Sequence, residues 1–248
     1  MSRIILTAAS RVGCIRSNNE DMVLAYDKFV RSDAYRTEFM TENADRFVIA
    51  LADGMGGHRA GEVASEETLA SLNYFISDIP RGLSISEFDE TMIEWLHHIN
   101  DTINRRGHSD PSLYDMGTTL VGVIYYGGKY FWLNCGDSRF YRLRNGKLVQ
   151  LSTDHSLSNA NGEKKHSNII TNCIGAGCKN SYLDLYEFTA DVLSGDTYML
   201  CSDGLNDMVN HEDIEKLMNE GSTANSLCEV AIEAGGFDNV SVCVFHVE

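Results

Sequence analysis

The chain has 248 residues, 43% of them hydrophobic and 23% charged, with a formal net charge of −16. That composition excludes a disordered, collagen-like or disulfide-scaffold chain, and a chain of this length buries roughly three quarters of its unfolded surface. The 20 Lys and Arg against 36 Asp and Glu repel phosphate backbones and anionic lipid heads, which argues against nucleic acid and membrane partners.

In chain order, Ile4 to Ala9 is apolar but too short for the core of a signal peptide. Arg11-Val12-Gly13-Cys14 resembles a lipoprotein cleavage site only superficially, because Arg11 stands there and an apolar segment is missing. Met22 begins a strand, and Arg31 to Arg46 reads as an extended, polar surface connection. Phe47 to Ala52 is a continuous apolar run ending in Asp53-Gly54, the pattern of a buried strand entering a turn. Gly61 to Ile79 and Glu87 to Arg106 carry apolar residues at helical period, and Ser84 with Glu87 forms a capping box for the second. A meander follows: Thr118 to Tyr126, Lys129 to Cys135, Phe140 to Leu143 and Leu148 to Leu151, with Gly127-Gly128 and Asn145-Gly146 as hairpin turns.

Ser158 to Asn168 is unpatterned and reads as a loop. Tyr182 to Phe188, Asp196 to Cys201 and Val240 to Val247 are further strands, and His211 to Asn219 and Ser222 to Ala234 two short helices. Antiparallel hairpins with paired helices predict an α+β sandwich, and without a linker or repeat residues 1–248 form one domain. Seven cysteines, an odd number without zinc spacing, and no run of about 18 apolar residues predict a reduced, cytoplasmic protein.

Asp53-Gly54, Gly136-Asp137 and Asp203-Gly204 each set an acid beside a glycine at the end of a predicted strand. Asp238 precedes the last strand, and Glu20-Asp21 precedes the one that starts at Met22. One such acid marks a turn. Five of them, at strand ends that a sheet brings together, repel one another unless cations neutralise them. Oxygen donors without interleaved His or Cys select Mg²⁺ or Mn²⁺ over zinc or copper. Two such ions suit phosphoryl transfer to water, and Arg16, four residues before Glu20, suits the phosphate.

Seven segments now form a recognisable series: Arg16-Ser-Asn-Asn-Glu-Asp21, Ala52-Asp-Gly-Met-Gly-Gly-His58, Gly61-Glu-Val-Ala-Ser65, Gly117-Thr-Thr-Leu120, Cys135-Gly-Asp-Ser-Arg139, Cys201-Ser-Asp-Gly-Leu205 and Gly235-Gly-Phe-Asp-Asn239. In this order, across residues 13 to 240, the series resembles the metal-dependent protein phosphatases of type 2C, in their bacterial branch. The resemblance implies a four-layer αββα sandwich with the metal cleft between two antiparallel sheets at one end. It implies that Asp53 bridges two core metals, Gly54 ligates one through its carbonyl, and Asp203 and Asp238 complete the core. It further implies that Asp137 shares a third, weaker ion with Asp203, that Arg16 binds phosphate, and that Glu20, Asp21 and Asn239 orient ligands or waters. The implied reaction is hydrolysis of phosphoserine and phosphothreonine by a metal-bridging hydroxide, without a phosphoenzyme. The implied partners are phosphorylated proteins and a cognate Ser/Thr kinase.

Two features depart from the pattern. Met55 stands where some relatives carry a histidine proposed as general acid; His58, near it in sequence, is a candidate for that role, though a structural loop residue is the favoured reading. Only Ser156 to Asn168 fills the interval of a longer flap, which bears on substrate range. Ser138 reads as a turn residue, and His97-His98 as structural positions on a helix. The competing readings are a silent relative that binds a phosphoprotein or kinase, and a small-molecule phosphomonoesterase. A nuclease is opposed by the net charge.

Overall fold

The computed structural model describes residues 2–56, 60–157, 159 and 169–248. One six-stranded sheet runs β11 (Lys147–Gln150), β10 (Arg139–Arg144), β14 (Thr197–Cys201), β15 (Val240–Val247), β1 (Arg3–Arg11), β4 (Ala34–Met40). The second runs β13 (Asp184–Glu187), β9 (Lys129–Cys135), β8 (Leu120–Tyr126), β5 (Arg46–Ala52), β2 (Met22–Ala25), β3 (Lys28–Val30). A short third sheet joins β12 (Ile174–Gly175), β7 (Gly117–Thr118) and β6 (Gly54–Met55). Neighbouring strands pair antiparallel in all three.

The period of two along each strand sorts side chains into three cores. In β5, Phe47, Ile49 and Leu51 face the space between the large sheets, where Leu6, Val123, Phe140, Leu200 and Phe245 meet them. Val48, Ala50 and Ala52 face the other way, under α1 (Ala60–Asp78) and α2 (Ile85–Ser109). This two-sided burial explains the unbroken apolar run. The first sheet turns Met199, Cys201, Val240 and Val242 outward against α3 (Asp203–Asn206), α4 (His211–Asn219) and α5 (Ala224–Glu233). The layers are therefore helix, sheet, sheet, helix. Each fully buried Leu, Ile or Phe contributes about 1.5–3 kcal/mol to this packing.

Several expected details hold. The Ser84 side chain accepts from the Glu87 amide while the Glu87 side chain accepts from the Ser84 amide, closing the capping box. Gly127, Gly128, Asn145 and Gly146 all have positive φ, as the two hairpins require.

Two expectations change. Arg31 to Arg46 is not only a connection: it contains β4, paired along β1. Being an edge strand it is mostly polar, yet Tyr35 and Phe39 pack on the inter-sheet core. The expected strand Thr118 to Tyr126 breaks at Thr119. There Thr119 donates its amide to the Asp53 carbonyl at 2.9 Å and accepts the Asp53 amide on Oγ1 at 3.1 Å. Thr118 then pairs with Gly54 on one side and Ile174 on the other. Most of the predicted loop Ser158 to Asn168 lies outside the described residues.

Candidate active site

Antiparallel pairing brings the end of one strand beside the start of its neighbour. Met22 pairs with Ala52, so Asp21 and Asp53 leave the sheet together. Cys201 pairs with Val242, which sets Asp203 and Asp238 at one end of the first sheet. Leu120 pairs with Cys135, which sets Asp137 beside the Thr119 break. These ends converge: Asp53 feels the charges of Asp21, Asp203, Asp137 and Asp238, and its carboxyl lies within hydrogen-bonding reach of Asp203.

The electrostatics follow from burial and crowding. Burial, reinforced by those four neighbours, raises the Asp53 carboxyl well above the usual carboxylate range. Asp21 is pushed up to about 7, by burial first and by Asp203 and Asp238 after it. Ser202 Oγ donates to Asp21 Oδ2 at 2.8 Å and works against that shift. Burial with Asp203 and Asp154 raises Asp137 to about 7, and burial with Asp207 and Asp238 raises Asp203 to about 6.

Arg16 Nη2 sits 2.6 Å from Asp238 Oδ2 at the rim, and Glu20 and Asp53 also act on its charge. Asn239 is fully engaged. Its Oδ1 accepts from the Glu20 amide at 2.8 Å, and its Nδ2 donates to the Val12 and Asn18 carbonyls, both at 2.9 Å. It thereby fastens the Arg16 segment to the start of β15. Gly54 is packed so closely that a Cβ would stand 2.2 Å from the Gly61 carbonyl oxygen and 2.5 Å from that of Glu20.

The donor chemistry fits hard divalent cations. Glu20 Oε1 and Asp21 Oδ1 are buried acceptors with no hydrogen-bond partner, and such atoms are costly unless a cation or proton meets them. Among the described residues, no three acidic, His or Cys side chains close tightly enough to cage an ion by themselves. Any ion bound here would take further oxygen ligands beyond these side chains.

Some residues escaped the sequence. Arg139 donates Nε to Asp154 Oδ1 at 3.0 Å and Nη2 to Asp154 Oδ2 at 2.7 Å. Both line, with Asp137, Asp203 and Asp207, a cavity of about 10 Å³. Arg139 stood in a quoted motif, but nothing local in the chain pairs it with Asp154, 15 residues away. Asp207 follows Asp203 by one helical turn, a spacing that carried the signal. Ser138 shares a 2.8 Å hydrogen bond with Thr119 Oγ1, which suits a turn residue. His97 and His98 are exposed on α2. His58 and most of Ser156 to Asn168 lie outside the described residues.

A model of the family "Protein phosphatase 2C" matches residues 25–231. The serine/threonine protein phosphatase PstP of Mycobacterium tuberculosis is 33% identical over 261 residues, covering 100% of this chain and 46% of PstP. The chain thus spans about half the length of that relative. The structure of an S. agalactiae serine/threonine phosphatase superposes with a TM-score of 0.82 at 30% identity, covering 99% of this chain and 100% of the other. The PstP catalytic domain in complex with two manganese ions gives a TM-score of 0.76 at 32% identity, covering 100% and 99%. A family match over most of the chain, with relatives at 30% identity or more that cover it fully and share its fold, places this chain in the protein phosphatase 2C family.

Proposed function

We propose that this chain is a metal-dependent serine/threonine protein phosphatase. The observation that carries the reading is the gathering of Asp21, Asp137, Asp203 and Asp238 around Asp53, with Arg16 at the rim. In this reading Asp53, the Gly54 carbonyl, Asp203 and Asp238 hold two Mn²⁺ or Mg²⁺ ions, and Asp137 with Asp203 holds a third, weaker one. Bound there, such ions lower the pKa of water and neutralise charge on a phosphoryl group.

The chain's own residues do the rest. Arg16 offers planar N–H donors to the phosphate oxygens, exchanging its contact with Asp238 for one with substrate. Asn239 fixes the segment that carries Arg16 and keeps the Glu20 backbone in place. Glu20 and Asp21 supply buried acceptors that orient what binds beside them. Thr119 locks the Asp53 backbone through both its amide and its hydroxyl.

Residues 1–248 act as one phosphatase domain in this reading, with phosphorylated proteins as substrates and a Ser/Thr kinase as natural counterpart. All seven cysteines are free, which supports a reducing compartment such as the cytoplasm. Among the described residues no helix is long and apolar enough to cross a membrane. The test is phosphate release from a phosphothreonine peptide with Mn²⁺, Mg²⁺ or EDTA, with Asp203→Asn as control. Release that needs the cation and vanishes in the variant supports the reading. Binding of phosphopeptide without release would instead select a silent regulator. Turnover of phosphorylated metabolites only would select a small-molecule enzyme.

A further inference from the structure

His155 is buried next to the turn that carries Asp137. The Gly136 amide donates to its ring Nδ1 at 3.1 Å, and the His155 amide donates to the Gly136 carbonyl at 2.9 Å. One residue thus clasps Gly136 on both sides of its Cα. Asn134 Nδ2 donates to the same carbonyl at 3.2 Å. That carbonyl belongs to the peptide plane that carries the Asp137 amide, so these donors fix the plane from which Asp137 departs. Gly136 has φ +129°, and a Cβ there would stand 2.6 Å from the Thr119 Cβ, so Thr119 bounds the turn as well.

His155 is itself held in place. Asn172 Nδ2 lies 2.9 Å from its Nδ1. That amide is anchored by Tyr182, whose carbonyl accepts from Nδ2 at 2.8 Å and whose amide donates to Oδ1 at 3.1 Å. Two N–H donors therefore converge on Nδ1, which makes it the unprotonated nitrogen. The proton sits on Nε2 and is donated to Asp184 Oδ2 at 3.0 Å. Asp184 reaches this place because β13 pairs it with Asn134 of β9, two residues before Gly136. A hydrogen bond at one ring nitrogen sets what the other can hold.

Resting on the phosphatase reading, we propose that His155 is a positioning residue: as its Nε2–H tautomer, braced by Asp184 and Asn172, it sets the Gly136–Asp137 turn and with it the affinity of the weaker ion assigned to Asp137. The Gly136 amide is the point of leverage, because its acceptor is a side chain and not a neighbouring strand.

The experiment titrates the whole chain with Mn²⁺, following free Mn²⁺ by electron paramagnetic resonance, beside phosphate release from a phosphothreonine peptide. The wild type is expected to bind two ions tightly and one weakly, with the weak one lost in Asp137→Ala. His155→Leu leaves the Gly136 amide without its acceptor. It is expected to weaken the weak ion about tenfold and to leave the tight pair within about twofold. His155→Asn, whose Oδ1 falls near the place of Nδ1, recovers most of that affinity. Asp184→Ala removes the brace alone, weakens the same ion about threefold, and tests the proposal even where His155→Leu does not fold. In the Asp137→Ala background His155→Leu has no further effect on metal binding. Equal weakening of all three ions, or a weak ion unchanged in both His155→Leu and Asp184→Ala, overturns the positioning role and leaves the phosphatase reading intact. A weak ion that survives Asp137→Ala, or is missing from the wild type, overturns it by removing the Asp137 assignment. A wild type that binds no Mn²⁺ and releases no phosphate overturns the phosphatase reading and this inference with it.

Discussion

At the scale of single residues, the Asp53 and Asp203 carboxyl groups stand within hydrogen-bonding reach, and neither can ionise freely beside the other. Asp203→Asn keeps the shape of that contact and removes one charge. Turnover is expected to fall by at least about a hundredfold, because the amide is a poor ligand to a hard cation. In EDTA the same variant is expected to melt higher than wild type, by about 2–4 °C for each kcal/mol of repulsion relieved. A scan in EDTA that shows it melting lower would show that the charge is not a burden. Arg16→Ala acts differently, since it removes a phosphate donor at the rim and leaves the carboxylates in place. KM for phosphate esters is expected to rise about tenfold or more with a smaller change in kcat; an unchanged KM would remove Arg16 from the phosphate.

At the scale of elements, the break between β7 and β8 is the device that positions Asp53. Thr119 leaves the ladder to exchange two hydrogen bonds with the Asp53 backbone while its hydroxyl also meets Ser138. Thr119→Val has nearly the same volume and leaves the Asp53 amide and the Ser138 hydroxyl without that partner. The expected cost is about 1–3 kcal/mol, read as a lower urea midpoint at unchanged slope, together with weaker Mn²⁺ activation. The break also shows where sequence legibility stops. Phe47 to Ala52 announced itself because both faces of β5 are buried, and Lys129 to Cys135 because hairpin glycines bound it. Thr119 interrupts an apolar run for a partner 66 residues away, which no local period encodes. β4 was obscured because an edge strand needs only Tyr35 and Phe39 inward and leaves the remainder to solvent. The acids of the site were legible because each follows or precedes a buried strand. The Arg139–Asp154 pair was not, because its partners meet only when β10 folds back past the loop after β11.

At the scale of the whole molecule, the acidic end makes stability depend on pH in a sense opposite to that of salt-bridged carboxylates. An unfolded Asp ionises near 3.9. In the folded, cation-free protein Asp203 is raised to about 6 and Asp21 and Asp137 to about 7. Between those values the folded state holds more protons than the unfolded one, so stability falls as pH rises and levels off above the folded values. The contribution is fully present below about pH 4 and is lost as pH rises through the folded values of about 6 and about 7. The formal charge of −16 at pH 7 adds general repulsion in the same direction. Cations reverse the trend, because they bind ionised carboxylates and release those protons. The melting temperature in Mn²⁺ minus that in EDTA is therefore expected to widen steadily from pH 5 to pH 8. It should widen much less in Asp203→Asn, which lacks one of the titrating acids. A difference that stays constant across that range would mean that these carboxyls ionise at ordinary values, and that burial and crowding at the strand ends do not govern the site.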